Sequence, residues 1–290
     1  MYKQIAANKR RTIFIMVFFV ILIGLIGGIF AYFYNNLWLE IGILLVALGY
    51  AVLQYFAAGS IAVMMTGAHE IEKKDNPKLY NAVENLSITT GLPMPKVYII
   101  DDPAPNAFAT GRDPKHSVVA ATTGLLDIMD KNELEAVMAH EMSHIKNYDI
   151  RVSMITFGLV CLVGLISDIG LRLMYFTDDD DDRSPVGLVI MIITAIFAPL
   201  AAAIAQMAVS REREYLADAS AVNITRNPDG MIDALKKLEE HQRPMRRQNA
   251  AAEALYINSS LRKGAISNLF STHPSIEKRI ERIEDGKKNF

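Results

Sequence analysis

The amino-acid sequence predicts an α-helical membrane protein with four spans that carries an α+β domain in the cytoplasm. Three observations lead to this fold class. Hydrophobic residues make up 51% of the 290 residues, and the mean hydropathy is positive, at +0.19. Apolar runs of about 20 residues, the length needed to cross a bilayer, alternate with charged segments. Those charged segments contain short strand patterns and one helical pattern with the sequence H-E-x-x-H, beginning at His140.

The first two apolar runs lie at the N-terminus. Residues 12–34 contain no charged side chain, and residues 37–58 contain only Glu40, near the outer end. A secretory signal peptide has a shorter apolar run and is followed by a small-residue cleavage site, so we favour a membrane span for the first run. We therefore expect residues 1–68 to form an N-terminal region with two transmembrane helices.

The second pair of apolar runs frames an acidic loop. Residues 152–176 are long enough to span only if Asp168 and Arg172 are included, and these two can pair on one helix face. Residues 186–209 contain no charge. The five consecutive aspartates between the runs lack the spaced ligands of a calcium site and are typical of a solvated outer loop. We expect residues 152–209 to form two further spans.

Basic side chains gather on one side of these four spans. The loop between the first two runs is neutral, and the loop between the last two is acidic. By the positive-inside rule, both termini and the H-E-x-x-H segment then lie in the cytoplasm. The basic residues that flank the spans on this side are Lys3, Lys9, Arg10, Arg11, Lys73, Lys74, Lys146, Arg151, Arg211 and Arg213.

The two remaining regions have the patterns of a folded domain. Residues 69–151 begin with an amphipathic helix from Asn76–Pro77 to Thr90, which has proline in its first turn. The strands predicted after it are 95–100, 106–111 and 117–122. Asn132 and Glu135 then have the spacing of a capping box at the head of the next helix. Residues 210–290 are predicted to be helical, with helices at 228–241 and 274–284.

The H-E-x-x-H sequence points to a metal site. His140 and His144 are four residues apart, so both imidazoles project from one face of a helix and can bind one ion. Glu141 points to the side, where a carboxylate can act as a base. A catalytic zinc needs a third protein ligand and one open position. Glu214 is the best candidate because Asp218 follows one helical turn later and can accept the N–H of a ligating histidine.

Several alternatives remain open at this point. Glu212 is a second candidate for the third ligand, and both glutamates could instead belong to a solvated, charged helix end. The histidine pair could be incidental on a surface helix. Cys161 is the single cysteine, which excludes an intrachain disulfide and disfavours a thiolate metal site. The net charge of −2 gives no basis for binding nucleic acid.

Four motifs together resemble one protein family. H-E-x-x-H at 140–144 is followed by S-R-x-x-E-Y-x-A-D at 210–218, with N-A-F-A at 106–109 and T-H-P at 272–274. From about residue 60 to the C-terminus the sequence is similar to the membrane-bound zinc metalloproteases that include HtpX and the prenyl-protein endopeptidases. The HtpX branch, a group of bacterial quality-control proteases, is the most similar.

The resemblance implies a zincin-like domain of the gluzincin type. It implies one Zn²⁺ per subunit held by His140, His144 and Glu214. Glu141 would be the general base that takes a proton from the attacking water and passes it to the leaving amine. Asp218 would support a zinc ligand, most directly His140.

Two further roles follow from the resemblance. His273 would stabilise the oxyanion of the tetrahedral intermediate, with helix capping before Pro274 as its alternative. A substrate-binding strand would pair with an extended substrate by strand addition, with an ordinary structural strand as its alternative. The residues of that strand are Asn106, Ala107, Phe108 and Ala109.

The resemblance also implies partners and a location. Substrates would be misfolded or membrane proteins, and the enzyme would contact the lipid bilayer and other membrane quality-control proteases during the stress response. Its location would be the bacterial inner membrane. Spacing adds that His144 lies eight residues before the third span and Glu214 five after the fourth. The metal is thus expected within roughly 15 Å of the cytoplasmic membrane surface.

Three other functions compete with this reading of the sequence. An intramembrane protease would bury the charges that flank the motif, at several kcal/mol each, and we reject it. A prenyl-protein endopeptidase of the same family generally has more spans. A non-catalytic zinc-binding scaffold has no need of Glu141. The flanking charges are Asp130, Lys131, Glu133, Glu135, Lys146 and Asp149.

Overall fold

Two long helices form the N-terminal region of the computed structural model, which describes residues 2–33, 35–156, 158, 211–247, 256–257 and 274–287. Helix α1 (Tyr2–Phe33) packs along helix α2 (Leu37–Thr66). The Asn36 side chain caps the start of α2, and Gly67 ends it with φ of 73°. In the described part of the chain, one helical stretch, Glu40–Ala57 in α2, is long and apolar enough to cross a membrane.

The third predicted span enters the described structure only at its start. Residues 149–156 and residue 158 are helical. Val152 and Ile155 pack with Phe19 of α1. The Tyr50 hydroxyl of α2 donates to the carbonyl of Gly158 at 2.8 Å. The remainder of this span, the acidic loop and the fourth span lie outside the described residues.

A mixed four-stranded sheet is the centre of the part of the structure that follows the two long helices. Its strands are β1 (His69–Glu70), β2 (Lys96–Ile100), β3 (Ala107–Gly111) and β4 (Ser117–Thr122), in the order β1-β2-β4-β3. Strand β2 is parallel to β4, and the other two pairings are antiparallel. The three predicted strands are confirmed to within one residue. Strand β1, only two residues long, was not predicted.

The sheet separates two apolar layers because successive side chains point to opposite faces. Ala107 and Ala109 belong to the main core with Val119, which also contains residues of helices α3 (Pro77–Thr90) and α5 (Lys131–Asn147). Phe108 and Ala120 belong to a second cluster, which contains the C-terminal end of α2. Strand β3 therefore lies between the C-terminal end of α2 and the helix that carries the metal motif.

The helices predicted after Asn76 and Asn227 are confirmed with their asparagine caps. The helix predicted from Pro274 begins at Ile276, without a side-chain cap. Asn76 accepts a hydrogen bond from the backbone N–H of Leu79 at 2.9 Å, and Pro77 occupies the first turn of α3. Asn227 caps α7 (Pro228–Glu240) in the same way. Three other helices of the described residues are α4 (Thr123–Ile128), α6 (Arg211–Thr225) and α8 (Ile276–Gly286), and a 3₁₀ turn lies at Pro114–His116.

The capping box of α5 was predicted two residues too late. Asp130, not Asn132, is the N-cap residue, and its side chain accepts from the N–H of Glu133 at 2.9 Å. The Glu133 carboxylate accepts in turn from the N–H of Asp130 and also pairs with Lys237 of α7 at 2.7 Å. The ion pair to α7 adds to the stability of a helix that begins at the earlier of the two suitable positions.

Candidate metal centre

Helix α5 places three predicted site residues next to one another. The rings of His140 and His144 have centroids 4.7 Å apart and planes at 86°, and their Nε2 atoms are 3.1 Å apart. His140 and Glu141 are only 1% and 2% exposed. They are buried because α5 packs against β3 and against helices α3, α6 and α7. The helix thus offers two imidazole nitrogens in a largely buried space, with His144 16% exposed at its side chain.

Glu214 of α6 completes a three-ligand group. Its carboxylate oxygens lie 3.6 Å from His140 Nε2 and 3.6 Å from His144 Nε2, and the ligand atoms all lie within 4.8 Å of one another. Tetrahedral ligands at about 2.1 Å from a zinc ion are roughly 3.4 Å apart. The spacings and the two-nitrogen, one-oxygen donor set therefore fit a single metal ion.

The other candidate for the third ligand is directed elsewhere. The Glu212 side chain is 74% exposed and lies 3.6 Å from Arg282 of α8. It stands two residues before Glu214, on the solvent side of α6. Of the two glutamates that the sequence left open, the structure brings only Glu214 to the histidines.

A buried chain of charges stands behind His140. Its Nδ1 lies 2.9 Å from Oδ1 of Asp218, one helical turn beyond Glu214, as the sequence predicted. Asp218 also accepts two hydrogen bonds from Arg279 of α8, at 2.8 Å and 2.6 Å. Arg279 is 1% exposed. A bidentate pair of this kind fixes the carboxylate in position, so Arg279 orients His140 through Asp218.

The buried charges around His140 shift two pKa values, that of His140 itself and that of Asp218. Burial by itself lowers the pKa of His140, but the carboxylates of Asp218 and Glu214 outweigh it and raise this pKa to about 9. Burial raises the pKa of Asp218, and the Arg279 guanidinium more than offsets it, lowering this pKa to about 2. Asp218 is therefore ionised at neutral pH and accepts the Nδ1–H of His140. A metal ion that binds Nε2 must displace the second proton of the ring, so metal binding at this site releases a proton.

His144 has a carboxylate of its own. Its Nδ1 lies 3.1 Å from Oδ2 of Asp149, just beyond the end of α5. The other oxygen of Asp149 accepts from Asn8 of α1 at 2.7 Å and lies 3.4 Å from Arg213 of α6. All four side chains are buried or nearly so. The first helix of the N-terminal region thus reaches the support of a metal ligand.

Sequence reasoning missed Arg279 and Asp149 as site residues. Arg279 had a readable signal, because Ile276, Ile280 and Ile283 mark one face of α8 and Arg279 lies on that same face. An arginine on an apolar helical face indicates a buried partner. Asp149 had no comparable signal, since it was read as one of several charges that flank the motif.

The predicted substrate strand lies beside the metal helix. Asn106 directly precedes β3, and its backbone N–H donates to the Thr122 hydroxyl at 2.9 Å. Ala107 and Ala109 face α5, and Phe108 faces the opposite way. His273, the predicted oxyanion residue, lies outside the described residues.

A family comparison identifies the centre. The model of Peptidase family M48 matches residues 73–287, which is more than half of the chain and includes all three grouped ligands. The chain belongs to peptidase family M48. As an M48 protein it is a metalloprotease with a zincin-like domain, and the family resemblance seen in the sequence is confirmed.

Individual M48 relatives match along the whole chain. "Protease HtpX homolog" of Tropheryma whipplei (strain Twist) is 53% identical and covers 100% of both chains. "Protease HtpX homolog" of Streptococcus gordonii (strain Challis) is 44% identical over 98% of this chain and 99% of its own. The crystal structure of S. mikatae Ste24p shares the fold, with a TM-score of 0.55 and 18% identity over 98% of this chain and 67% of that one.

Proposed function

We propose that this M48 chain is an integral-membrane zinc endopeptidase that hydrolyses misfolded or membrane proteins at the cytoplasmic face of the bacterial inner membrane. The observation that carries the proposal is the group formed by His140, His144 and Glu214, with Glu141 buried beside it. Three ligands and one open position are typical of catalytic zinc, whereas structural zinc sites have four protein ligands.

The protein's own side chains have distinct tasks in this reaction. His140, His144 and Glu214 would hold one zinc ion, which supplies Lewis acidity toward the substrate carbonyl and toward water. Glu141 takes one proton from the attacking water as the new C–O bond forms. It then delivers that proton to the amine nitrogen as the C–N bond breaks. We retain His273 as the proposed donor to the oxyanion.

Two carboxylates hold the histidines in the orientation that this task needs. Asp218 accepts from Nδ1 of His140, and Asp149 accepts from Nδ1 of His144. Each acceptor fixes the tautomer that has a free lone pair on Nε2. Because a carboxylate holds each imidazole ring in place, the two ligand atoms have a defined position, as a catalytic site requires.

Apolar surface on the first two helices supports a membrane location. Large side chains point outward along both, including Phe14 at 62%, Val46 at 73% and Phe56 at 59% exposed. Such a surface is costly in water and favourable against lipid. We propose an arrangement with four spans, near residues 12–34, 37–58, 152–176 and 186–209. Cytoplasmic region 69–151 lies between the second and third spans, and cytoplasmic region 210–290 follows the fourth.

Cationic and aromatic side chains support the cytoplasmic orientation. Lys9 of α1 lies 4.5 Å from the ring centroid of Tyr148 at the end of α5, and Arg151 lies 4.9 Å from the same ring. Arg112 lies 5.1 Å from the Phe56 ring, at the end of the apolar stretch of α2. Basic residues concentrate on the cytoplasmic side of membrane spans, and aromatic residues mark the membrane surface on either side.

The contacts of Lys9 and Arg151 with Tyr148 also support a short distance from the metal centre to the membrane. His144 precedes Tyr148 by four residues, roughly 6 Å along the helix. We therefore propose substrates that are membrane proteins or segments emerging from the bilayer, as expected for quality control. Cleavage of prenyl-proteins is the second candidate function. Its support is the fold shared with Ste24p, and a shared fold gives no information about substrate specificity.

Metal removal tests the proposed function. We expect the purified, detergent-solubilised full chain to cleave casein, to lose this activity on treatment with 1,10-phenanthroline, and to regain it with one equivalent of Zn²⁺ but not with Mg²⁺. A Glu141→Gln preparation measures contaminating proteases. Casein cleavage by the zinc-free chain at the rate of the zinc-loaded chain would contradict the proposal.

Cysteine labelling tests the orientation. In a Cys161→Ser background, Leu37→Cys lies at the outer end of α2 and Lys115→Cys in the cytoplasmic part, and both positions are exposed. A membrane-impermeant maleimide added to intact spheroplasts should label the first variant and label the second only after lysis. Labelling of Lys115→Cys in intact spheroplasts would place the metal centre on the other side.

A further inference from the structure

The outer edge of β3 is already occupied by the chain itself. On its inner side β3 pairs with β4. On its outer side the backbone N–H of Ile257 donates to the carbonyl of Ala107 at 3.0 Å, and Phe108 and Tyr256 form an antiparallel bridge. Tyr256–Ile257 thus adds to the sheet in the manner of a further strand.

The two side chains of this pair alternate across the sheet edge. Tyr256 is 2% exposed and lies on the Phe108 face, where the two rings meet edge to face with centroids 5.6 Å apart. Ile257 is 3% exposed and joins the core on the side of α5. Alternation of this kind is what an extended peptide adopts when it pairs with a strand.

A substrate that pairs with β3 needs the same backbone group. Strand addition takes place through the free N–H and C=O groups of an edge strand. The carbonyl of Ala107, which faces outward on the edge beside α5, is used by Ile257. A substrate strand and Tyr256–Ile257 therefore cannot occupy the edge at Ala107 at the same time.

We propose that Tyr256–Ile257 is an internal occupant of the substrate edge of β3, which a substrate carrying an aromatic side chain opposite Phe108 displaces. This inference rests on the proposed protease function. It adds an aromatic subsite to the proposed function and assigns Phe108 as the residue that determines its specificity. It also gives a reason for low activity in the absence of a suitable substrate, because Tyr256–Ile257 then covers the edge of β3.

The chemistry of the Tyr256 position defines the substrate class. Its surroundings are apolar, since Ala62, Ala104 and Met245 belong to the same buried cluster as Phe108. An aromatic ring fills such a space and gains the edge-to-face contact with Phe108, whereas a charged residue would lose its hydration. The preferred substrates are therefore extended, unfolded segments with a Tyr, Phe or Trp at this position.

A reversible crosslink separates an occupant from a permanent strand. The bond from Ile257 to Ala107 makes Phe108 and Tyr256 a non-hydrogen-bonded pair, with Cα atoms about 4.5 Å apart, which suits a disulfide. In a Cys161→Ser background, the zinc-loaded Phe108→Cys/Tyr256→Cys chain should cleave casein when reduced and lose most of this activity when oxidised. Equal rates in the two states would overturn the proposal.

A second variant tests the occupant without a crosslink. Ile257→Pro removes the N–H that binds Ala107, and we expect the KM for an unfolded substrate to fall about fivefold, the worth of one hydrogen bond, with kcat unchanged. Met231→Ala, in helix α7 of the same apolar core, is the control for a loss of core packing and should leave KM unchanged. An unchanged or raised KM in Ile257→Pro would contradict the proposal.

Peptide substrates test the aromatic subsite. In a series where a single Tyr is moved along a Ser-rich peptide, the wild-type chain should prefer one position, and Phe108→Ala should lose that preference. Absence of a positional preference in the wild type would overturn the subsite. If the wild type cleaves none of these substrates or casein, the protease function itself fails. If it cleaves them and the crosslink has no effect, only this inference fails.

Discussion

Replacement of Glu141 by glutamine is expected to lower kcat/KM for casein by a factor of about 10²–10⁴, the usual contribution of a general base. The amide has nearly the same size and shape as the carboxylate but cannot accept a proton from water. Glu141 is 2% exposed and follows the ligand His140 directly, so the change leaves α5 packed as before. The zinc content, measured by mass spectrometry, should remain at one ion per chain.

Glu212→Gln is the matched control for this experiment. It makes the same chemical change two residues before the ligand Glu214, on a side chain that is 74% exposed, and we expect wild-type kcat/KM. Cleavage by Glu141→Gln at the wild-type rate would contradict the mechanism. Loss of zinc from Glu141→Gln would instead assign this carboxylate a structural role at the metal, as in a non-catalytic zinc-binding scaffold.

Replacement of Arg279 by methionine is expected to lower the free energy of unfolding by about 3–5 kcal/mol, because it leaves the buried carboxylate of Asp218 without its partner. Asp218 and Arg279 are 2% and 1% exposed, so water cannot replace the lost hydrogen bonds. The orientation of His140 also suffers, and we expect a 10–100-fold loss of zinc affinity. Denaturant titration and competition with a chelator measure the two effects.

A double variant separates stability from positioning. Asp218→Leu/Arg279→Met removes both charges and should regain much of the lost stability, since well-packed apolar replacements of a buried ion pair are often tolerated. It should not regain zinc affinity, because His140 then has no acceptor for its Nδ1–H. Recovery of zinc affinity together with stability would show that Arg279 acts only on the fold.

Arg282→Met is the control for a change of the same type on α8. Arg282 is 55% exposed at its side chain, lies over the Tyr215 ring at 4.3 Å and contacts the exposed Glu212. Exposed pairs contribute little, typically below 1 kcal/mol. We therefore expect a small change in stability and unchanged zinc affinity.

The local elements could be predicted well because their signals lie within a few residues. Pro77 after Asn76 indicates where α3 starts, and a short apolar run between turn-type residues indicates β4. The start of α5 shows the limit of this reasoning. Asp130 with Glu133 and Asn132 with Glu135 both satisfy the capping pattern, and a contact to a distant helix, the pair between Glu133 and Lys237, accompanies the earlier start.

The site residues that lie within short sequence motifs could be predicted from the sequence. His140, Glu141 and His144 come from one helical turn, and Glu214 with Asp218 from another, so two short patterns contain most of the centre. Asp149 and Arg279 could not be assigned from sequence, because their roles depend on which distant side chains they meet.

By itself the sequence determined the family, the metal-binding motif, the class of reaction and the alternation of apolar and charged segments. These features can be read from the sequence because each depends on the spacing of residues that lie close together in the chain. Only the tertiary structure decided that Glu214 rather than Glu212 faces the histidines, that Arg279 lies behind Asp218, and that Tyr256–Ile257 covers the edge of β3. Each of these outcomes depends on contacts between segments that are far apart in the chain. Burial of the side chains selects their partners, and the pattern of neighbouring residues contains no information about such distant contacts.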